Sequence, residues 1–401
     1  MRNFLNTNIL TRFLWPVRTL LLAFFYLFSV NSTIAANKLT IKIAYLTQEK
    51  KVPAALSNLD PFVTDKGEQG AILAIKDNNT TGQFTGQKYV LQKTIVPLGG
   101  DVNQSFNQLI KEGYQYVLVN LPAEQLVQIA ALDKDQSSLL FDVFTRDDVL
   151  RQTQCHSNIL HILPSRAMRA DALAQYMLKK RWQKWFLLVG GTKEDRLFAK
   201  AVKRSAKRLG SKIIAEKSWD HTHDARRTAQ SEVHVLTQGV DYDVLVVADE
   251  QGLFGEYLSY RTWKPRPVIG TQGLVATSWH RTLEQWGAVQ IQNRFKEQAG
   301  RQMEEEDYGA YLAIRAIGEA ASRTQTAEVK IIKDYLLSDQ MVLQGYKGRP
   351  LSFRPWNGQL RQPVLLAADR SLVTTAPLDG FLHPKTELDT LGFDQPETLC
   401  Q

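Results

Sequence analysis

Short apolar runs alternate along this chain with stretches whose apolar residues recur every three or four positions. "LTIKIAYLT" (39–47) alternates in the manner of a strand. "GEQGAILAIKDNN" from Gly67 places Ala71, Ile72 and Ile75 on one helical face. "KYVLQKTIV" reads as a second strand. Asp101 can cap a helix with Val102, Phe106, Leu109 and Ile110 on its apolar face, stopped by Gly113. "YVLVN" reads as a buried strand, and a short helix over 123–132 leads to the strand "SLLFDVF".

The alternation restarts after Cys155. Ser165 can cap a helix carrying Met168, Ala172, Leu173 and Tyr176. "WFLLVGG", a helix over 195–209, "SKIIAEKSW", a helix through Val233 and Leu236, "YDVLVVADE" and "RPVIGTQG" complete a second series. Strands alternating with helices predict parallel sheets. The nearly continuous apolar character of "WFLLVGG" and "YDVLVVAD" suits strands covered on both faces. The expected fold class is therefore α/β, in two lobes that separate near residues 145–165. Two long helices, about 280–299 and 306–322, and a shorter one follow. A β-rich tail then turns at "WNG" between "PLSFRP" and "QPVLLAAD".

The amino-terminal 36 residues break this pattern. Arg12 and Arg18 precede the apolar run "LLLAFFYLFSV", and "NSTIAAN" follows. A basic region, a short apolar core and a small-residue zone predict a cleavable signal peptide over 1–36 and a periplasmic destination. The run is shorter than the ~20 residues that span a bilayer. This segment contributes three arginines and no acid to the net charge of +8. The remaining excess is modest, and no aromatic-interleaved basic stripe points to nucleic acid. Cys155 and Cys400 are the two cysteines. Export makes a disulfide between them reasonable; the alternative is two unpaired thiols. Neither has a CxxC partner, so redox catalysis and zinc binding are not expected.

In parallel sheets ligands sit beyond the carboxyl ends of the strands. That rule selects Thr47, Gln48 and Glu49, then Asn120, Leu121 and Pro122, then Thr145, Arg146 and Asp147. The second series supplies Gly190, Gly191 and Thr192, then Asp249 and Glu250, then Thr271 and Gln272. Arg146 suits a carboxylate or phosphate; its other reading is an ion pair with Asp147 or Asp148. Asp147, Asp249 and Glu250 suit an ammonium, a hydroxyl or a cation.

"DEQGLFGEYLSYRTW" lacks clear periodicity and reads as a recognition loop. Around it, Tyr257, Tyr260, Trp263, Trp279, His280 and Trp286 offer an aromatic wall; the other reading is packing within their own lobe. His221 and His223 in "WDHTHD" suit a surface loop better than a metal site, so no metal is expected. GxSxG, HExxH, the P-loop and GxGxxG are all missing, so neither an enzyme nor a bound cofactor is expected.

The ordered succession of these segments resembles the type I periplasmic substrate-binding proteins of ABC transporters, of the branched-chain amino acid kind. "IKIAYLT", "GEQGAILAIKDNNTTGQFTGQKYVL", "FKEQAGRQMEEEDYGAYLAIRAIGEAASRT" and "LQGYKGRPLSFRPWNGQLRQPVLL" carry the resemblance. "DYDVLVVADE…FGEYLSYRTW", "RPVIGTQGLV" and "FLHPKTELDTLGFDQPETLC" are further similar to a subgroup associated with PQQ-dependent alcohol dehydrogenase systems. The resemblance implies three-layer αβα lobes joined by three crossings. It implies one lobe of 37–155 plus 280–335, a second of 156–275 plus 340–385, and a tail of 386–401. A small polar ligand would sit between the lobes, with hinge closure around it, and the partners would be ABC permease subunits; the protein itself would be a monomer. A sensory or protein-interaction module on the same fold is the alternative. Amino-acid-binding members hold the ligand carboxylate with a small hydroxyl run in the second and third loops. Here "NLPAEQ" and "VFTRDD" stand instead, which puts amino acids in doubt.

Overall fold

The first series of strands assembles into one sheet. It contains β1 (Leu39–Gln48), β2 (Gln87–Val96), β3 (Tyr116–Asn120), β4 (Leu139–Asp142) and β5 (Ile159–His161), in the order β2-β1-β3-β4-β5. The β1–β3, β3–β4 and β4–β5 pairs are parallel. The structure is a computed structural model and describes residues 38–51, 62–133, 135–219 and 232–400. The leader and the His221/His223 cluster lie outside them. Helices α1 (Glu68–Thr85), α2 (Val102–Lys111) and α3 (Ala123–Leu132) connect the strands. Asp101 caps α2 as expected, its carboxylate accepting from Gln104 N at 3.0 Å. Phe106, Leu109, Leu126 and Ile129 cover one sheet face, over Ala44, Val117 and Leu140.

The second series forms a seven-stranded sheet. Its strands are β6 (Lys184–Val189), β7 (Lys212–Ser218), β8 (Val244–Ala248), β9 (Val268–Gly270), β10 (Leu274–Thr277), β14 (Val364–Ala368) and β15 (Ser371–Ala376). The order is β15-β14-β10-β9-β8-β6-β7, and β14 and β15 are its antiparallel members. α4 (Arg166–Lys179) and α5 (Lys193–Arg208) cover one face. Period-two geometry sends Trp185, Leu187 and Val189 toward those helices, and Phe186 and Leu188 toward Trp219, Tyr242 and Phe254 on the other face. This two-sided burial is why these strands read as unbroken apolar runs.

The structure departs from the sequence reading at three points. The helix expected from about residue 280 is α6 (Ala288–Ala299). Residues 274–277 extend as β10 instead, and Trp286 and Gly287 adopt left-handed backbone conformations that start the helix only at Ala288. The "WNG" turn joins β12 (Pro350–Phe353) to β13 (Leu360–Arg361) in a small sheet with β11 (Leu343–Gln344); "PVLLAAD" leaves to join the large sheet. Finally, β5 comes from residues expected in the second lobe, yet it hydrogen-bonds at the edge of the first sheet. At three residues it is too short to register as a period.

α7 (Glu305–Thr324) lies along α1, and α8 (Val329–Leu336) follows it. Asn78 and Gln87 donate to the Ile314 and Ala321 carbonyls. A Cβ at Gly70 would stand 1.8 Å from the Asp307 carbonyl oxygen. Gly70→Ala therefore has no room without separating the two helices. It is expected to lower unfolding free energy by about 2–3 kcal/mol in urea denaturation.

Beneath the connection between the sheets lies a buried polar network. Asp142 accepts from Thr145 N at 2.7 Å, Thr145 Oγ1 at 2.6 Å and Arg151 at 3.4 Å, and its Oδ2 lies 2.7 Å from His161 Nδ1. Gln359 accepts from Arg151 Nε at 2.8 Å and donates to the Leu163 carbonyl at 3.1 Å. Burial, reinforced by the Arg151 charge, pushes the His161 imidazole down to about 4. Below pH 6.5 the unfolded chain takes up a proton that the folded chain refuses until about pH 4. Stability should therefore fall as pH drops through that window, by about 2 kcal/mol at pH 5. Denaturation midpoints measured across the window should show this slope, and His161→Asn should remove it.

Candidate ligand-binding cleft

Two cavities open at the carboxyl ends of the two sheets. The first, about 530 Å³, lies beyond β1 and β3. Its walls are Tyr45, Thr47, Gln48, Glu49, Lys50 and Asn120, residues 62–66, Glu68, Ile95, Leu98 and Glu306. The second, about 320 Å³, lies beyond β8, β9 and β10. Asp249, Glu250, Thr271 and Gln272 line it together with Arg146, Arg169 and Phe198. Gln48, Glu49 and Asn120 thus reach the first cavity, and Arg146, Asp249, Glu250, Thr271 and Gln272 reach the second.

Leu121, Pro122, Thr145, Asp147, Gly190, Gly191 and Thr192, all at strand ends, line neither cavity. The Leu121 side chain is fully buried in the first lobe's core. Thr145 is committed to Asp142. Thr192 caps α5 in a reciprocal capping box with Asp195. The Gly191 carbonyl accepts from Arg196 at 2.7 Å. Residues from several of these strand-end loops line the two cavities, and local capping decides which side chains turn outward.

Most polar groups of the first cavity hold its own walls. Asn120 Nδ2 donates to Tyr45 Oη at 2.6 Å and to the Lys66 carbonyl at 3.0 Å. Gln48 donates to the Pro97 and Gly100 carbonyls and accepts from Gln125. Thr47 Oγ1 donates to the Asn120 carbonyl. Two groups are less committed. Lys50 Nζ stands 4.0 Å from the Phe144 ring centroid and 3.4 Å from Asn120 Oδ1. Among the described residues, the Glu49 carboxylate accepts a 3.3 Å bond from Leu98 N. Around them Phe62, Ile95 and Leu98 expose apolar surface. The wall can therefore offer charge from two adjacent residues and an apolar lip.

The second cavity is more strongly cross-braced. Asp249 accepts from the backbone of Leu253, Phe254 and Gly255 at 2.7–3.0 Å, and its own N–H donates to Thr271 Oγ1. Asp249 therefore folds its loop rather than presenting a free carboxylate. Glu250 receives two bonds from Arg166, at 2.9 and 2.7 Å. Arg146 pairs with Glu305 at 2.9 Å and Glu306 at 3.5 Å, not with the neighbouring Asp147 or Asp148. Asp147 instead pairs with Arg166, and Asp148 accepts from Ala167 N.

Glu305 is the residue that sequence reasoning missed. It opens α7, binds Arg146 and Arg169 together, and accepts from Ser278 N at 2.6 Å. Burial by itself would raise its carboxyl pKa; Arg169 and Arg146 override that and hold it well below the usual carboxylate range. In sequence it is one acid of "EEED", indistinguishable from an ordinary acidic first turn of a helix.

The expected aromatic wall is not assembled at either cavity. Trp279 is buried and stacked on Tyr308 at 4.4 Å. Trp263 lies against His234, Tyr260 points to solvent, and Trp286 packs over Gly348. Packing and exposure claim these rings, so the aromatic surface of the first cavity comes from Tyr45 and Phe62 instead.

Two α/β lobes with cavities at their strand ends define the architecture of a bilobal binding protein. A family model described as periplasmic binding protein matches residues 61–368, and the chain belongs to that family. Solved structures share the fold. A periplasmic binding protein from Burkholderia mallei superposes with a TM-score of 0.65 at 13% identity, covering 90% of this chain and 98% of its own. A branched-chain amino acid ABC transporter ligand-binding protein from Burkholderia xenovorans gives 0.68 at 16% identity, covering 84% and 95%. An ABC transporter solute-binding protein from R. palustris, in complex with benzoate, gives 0.61 at 10% identity, covering 84% and 95%. Among curated proteins none matches.

Removing Glu305 takes the paired carboxylate from Arg169 and leaves Arg146 with Glu306 at 3.5 Å, in a poorly solvated site. Glu305→Ala is expected to cost about 3 kcal/mol in urea denaturation. Removing Glu124, whose pair with Lys193 is exposed, should cost under about 1 kcal/mol.

Proposed function

We propose that this protein is the periplasmic solute-binding component of an ABC transporter, not an enzyme. It takes a small polar ligand between its lobes, acts as a monomer and delivers the ligand to permease subunits of the inner membrane. The observation that carries this reading is the placement of both cavities at strand carboxyl ends, one on each lobe. Gln48, Glu49, Asn120 and Lys50 would meet the ligand from the first cavity; Arg146, Glu250, Thr271 and Gln272 would meet it from the second. The similarity of the "FGEYLSYRTW" and "FLHPKTELDTLGFDQPETLC" segments to the subgroup of PQQ-dependent alcohol dehydrogenase systems supports a solute linked to alcohol oxidation. The commitment of Thr47, Gln48 and Asn120 to wall bonds argues against the usual amino-acid carboxylate clamp.

Thermal shift of the mature protein against branched-chain amino acids, benzoate and other organic acids, amines, alcohols and sugars tests the reading. At least one class should stabilise the protein by about 2.7 kcal/mol at a hundredfold excess over Kd. Lys50→Ala should weaken that ligand about tenfold or more in calorimetry, with the fold intact. A protein stabilised by no small molecule, yet retained by a purified dehydrogenase, would favour the protein-interaction alternative.

A further inference from the structure

The carboxyl-terminal segment leaves β15 and runs back across the molecule. On the second lobe, Gly392 N donates to Asp171 of α4 at 2.9 Å, and the Gly392 carbonyl accepts from Arg204 and Arg208 of α5 at 2.8 and 3.1 Å. Leu391 is fully buried in that lobe's core, and Arg204 lies 4.1 Å above the Phe393 ring. Eight positions later the chain ends its run on the connection to the first lobe. Leu399 N donates to the Gln152 carbonyl at 2.8 Å, Thr398 Oγ1 donates to the Arg151 carbonyl at 3.1 Å, and Cys400 is bonded to Cys155. Arg151 is itself fixed to Asp142 of β4 in the first sheet.

We propose that residues 392–400 are a strap that limits how far the two lobes part, and that the Cys155–Cys400 disulfide makes this limit redox-dependent. The span between Gly392 and Cys400 is short, at most about 29 Å even when fully extended. The turn Gln395–Glu397 takes up part of that length. With the disulfide closed, opening must stay within this slack. A dithiol reductant would cleave the S–S bond, leaving two protein thiols and its own cyclic disulfide. That end of the strap would then rest on the hydrogen bonds of the Leu399 amide and the Thr398 hydroxyl, which exchange with water at little net cost. The inference rests on the lobes parting as the proposed binding function requires, but not on the identity of any ligand.

The Lys193–Glu124 pair joins α5 to α3 across the two lobes, whereas Lys93–Glu68 lies 2.5 Å apart within the first lobe. A zero-length carbodiimide converts such pairs into amides that peptide mass spectrometry can count. Three forms of the ligand-free mature protein would be compared: oxidised, reduced and alkylated, and oxidised with about six Gly/Ser residues inserted between Glu397 and Thr398 to add slack. The yield of Lys193–Glu124 relative to Lys93–Glu68 should fall about threefold or more in both the reduced and the lengthened forms. A ratio unchanged in the lengthened form would overturn the strap, whatever reduction does, because the disulfide would then act on stability alone. A ratio lowered only by insertion would overturn the redox dependence. Failure of the ligand panel would leave all of these outcomes readable.

Discussion

Glu305 is the constraint on which the arrangement of the cleft depends. It begins the helix that lies along α1 in the first lobe, and it binds Arg169 from the first helix of the second lobe. It also binds Arg146 from the connection and the Ser278 amide just beyond β10. One carboxylate thus meets elements from both lobes and from two of the segments joining them. Two guanidiniums in a poorly solvated site keep it ionised, and without it Arg169 would lose its paired carboxylate while Arg146 would keep Glu306 at 3.5 Å. The side chains that look most available for an anion in the sequence are, for this reason, already engaged.

The same economy runs through the rest of the site. Asp249 folds its loop, Thr192 caps a helix, Thr145 satisfies a buried aspartate and Asn120 fastens the 65–67 turn to β1. Each is a polar residue at a strand end, and each has found a local backbone or side-chain partner. What faces the first cavity with the least commitment is Lys50, Glu49 and an apolar lip.

Away from the cleft, the connection between the lobes is rigid in a different way. Asp142, Arg151, His161 and Gln359 form a fully buried polar network whose members come from widely separated parts of the chain. The disulfide and the terminal strap close over the same Arg151 turn. The buried network that sets the acid sensitivity and the disulfide therefore meet around Arg151.

The sequence by itself determined the strand–helix alternation, the α/β class, the capping of α2 by Asp101 and of α4 by Ser165, and the loops in which a site would lie. These are local matters: periodicity follows from the geometry of single elements, and caps need only neighbours three residues away. The tertiary structure alone decided that residues 159–161 pair with the first sheet and that 274–277 form a strand. It also decided that Arg146 turns to Glu305 rather than to Asp147, and that Trp279 packs on Tyr308 instead of facing a ligand. Each of these depends on partners brought together from distant positions, where burial and the pairing of charges, not local preference, select the outcome.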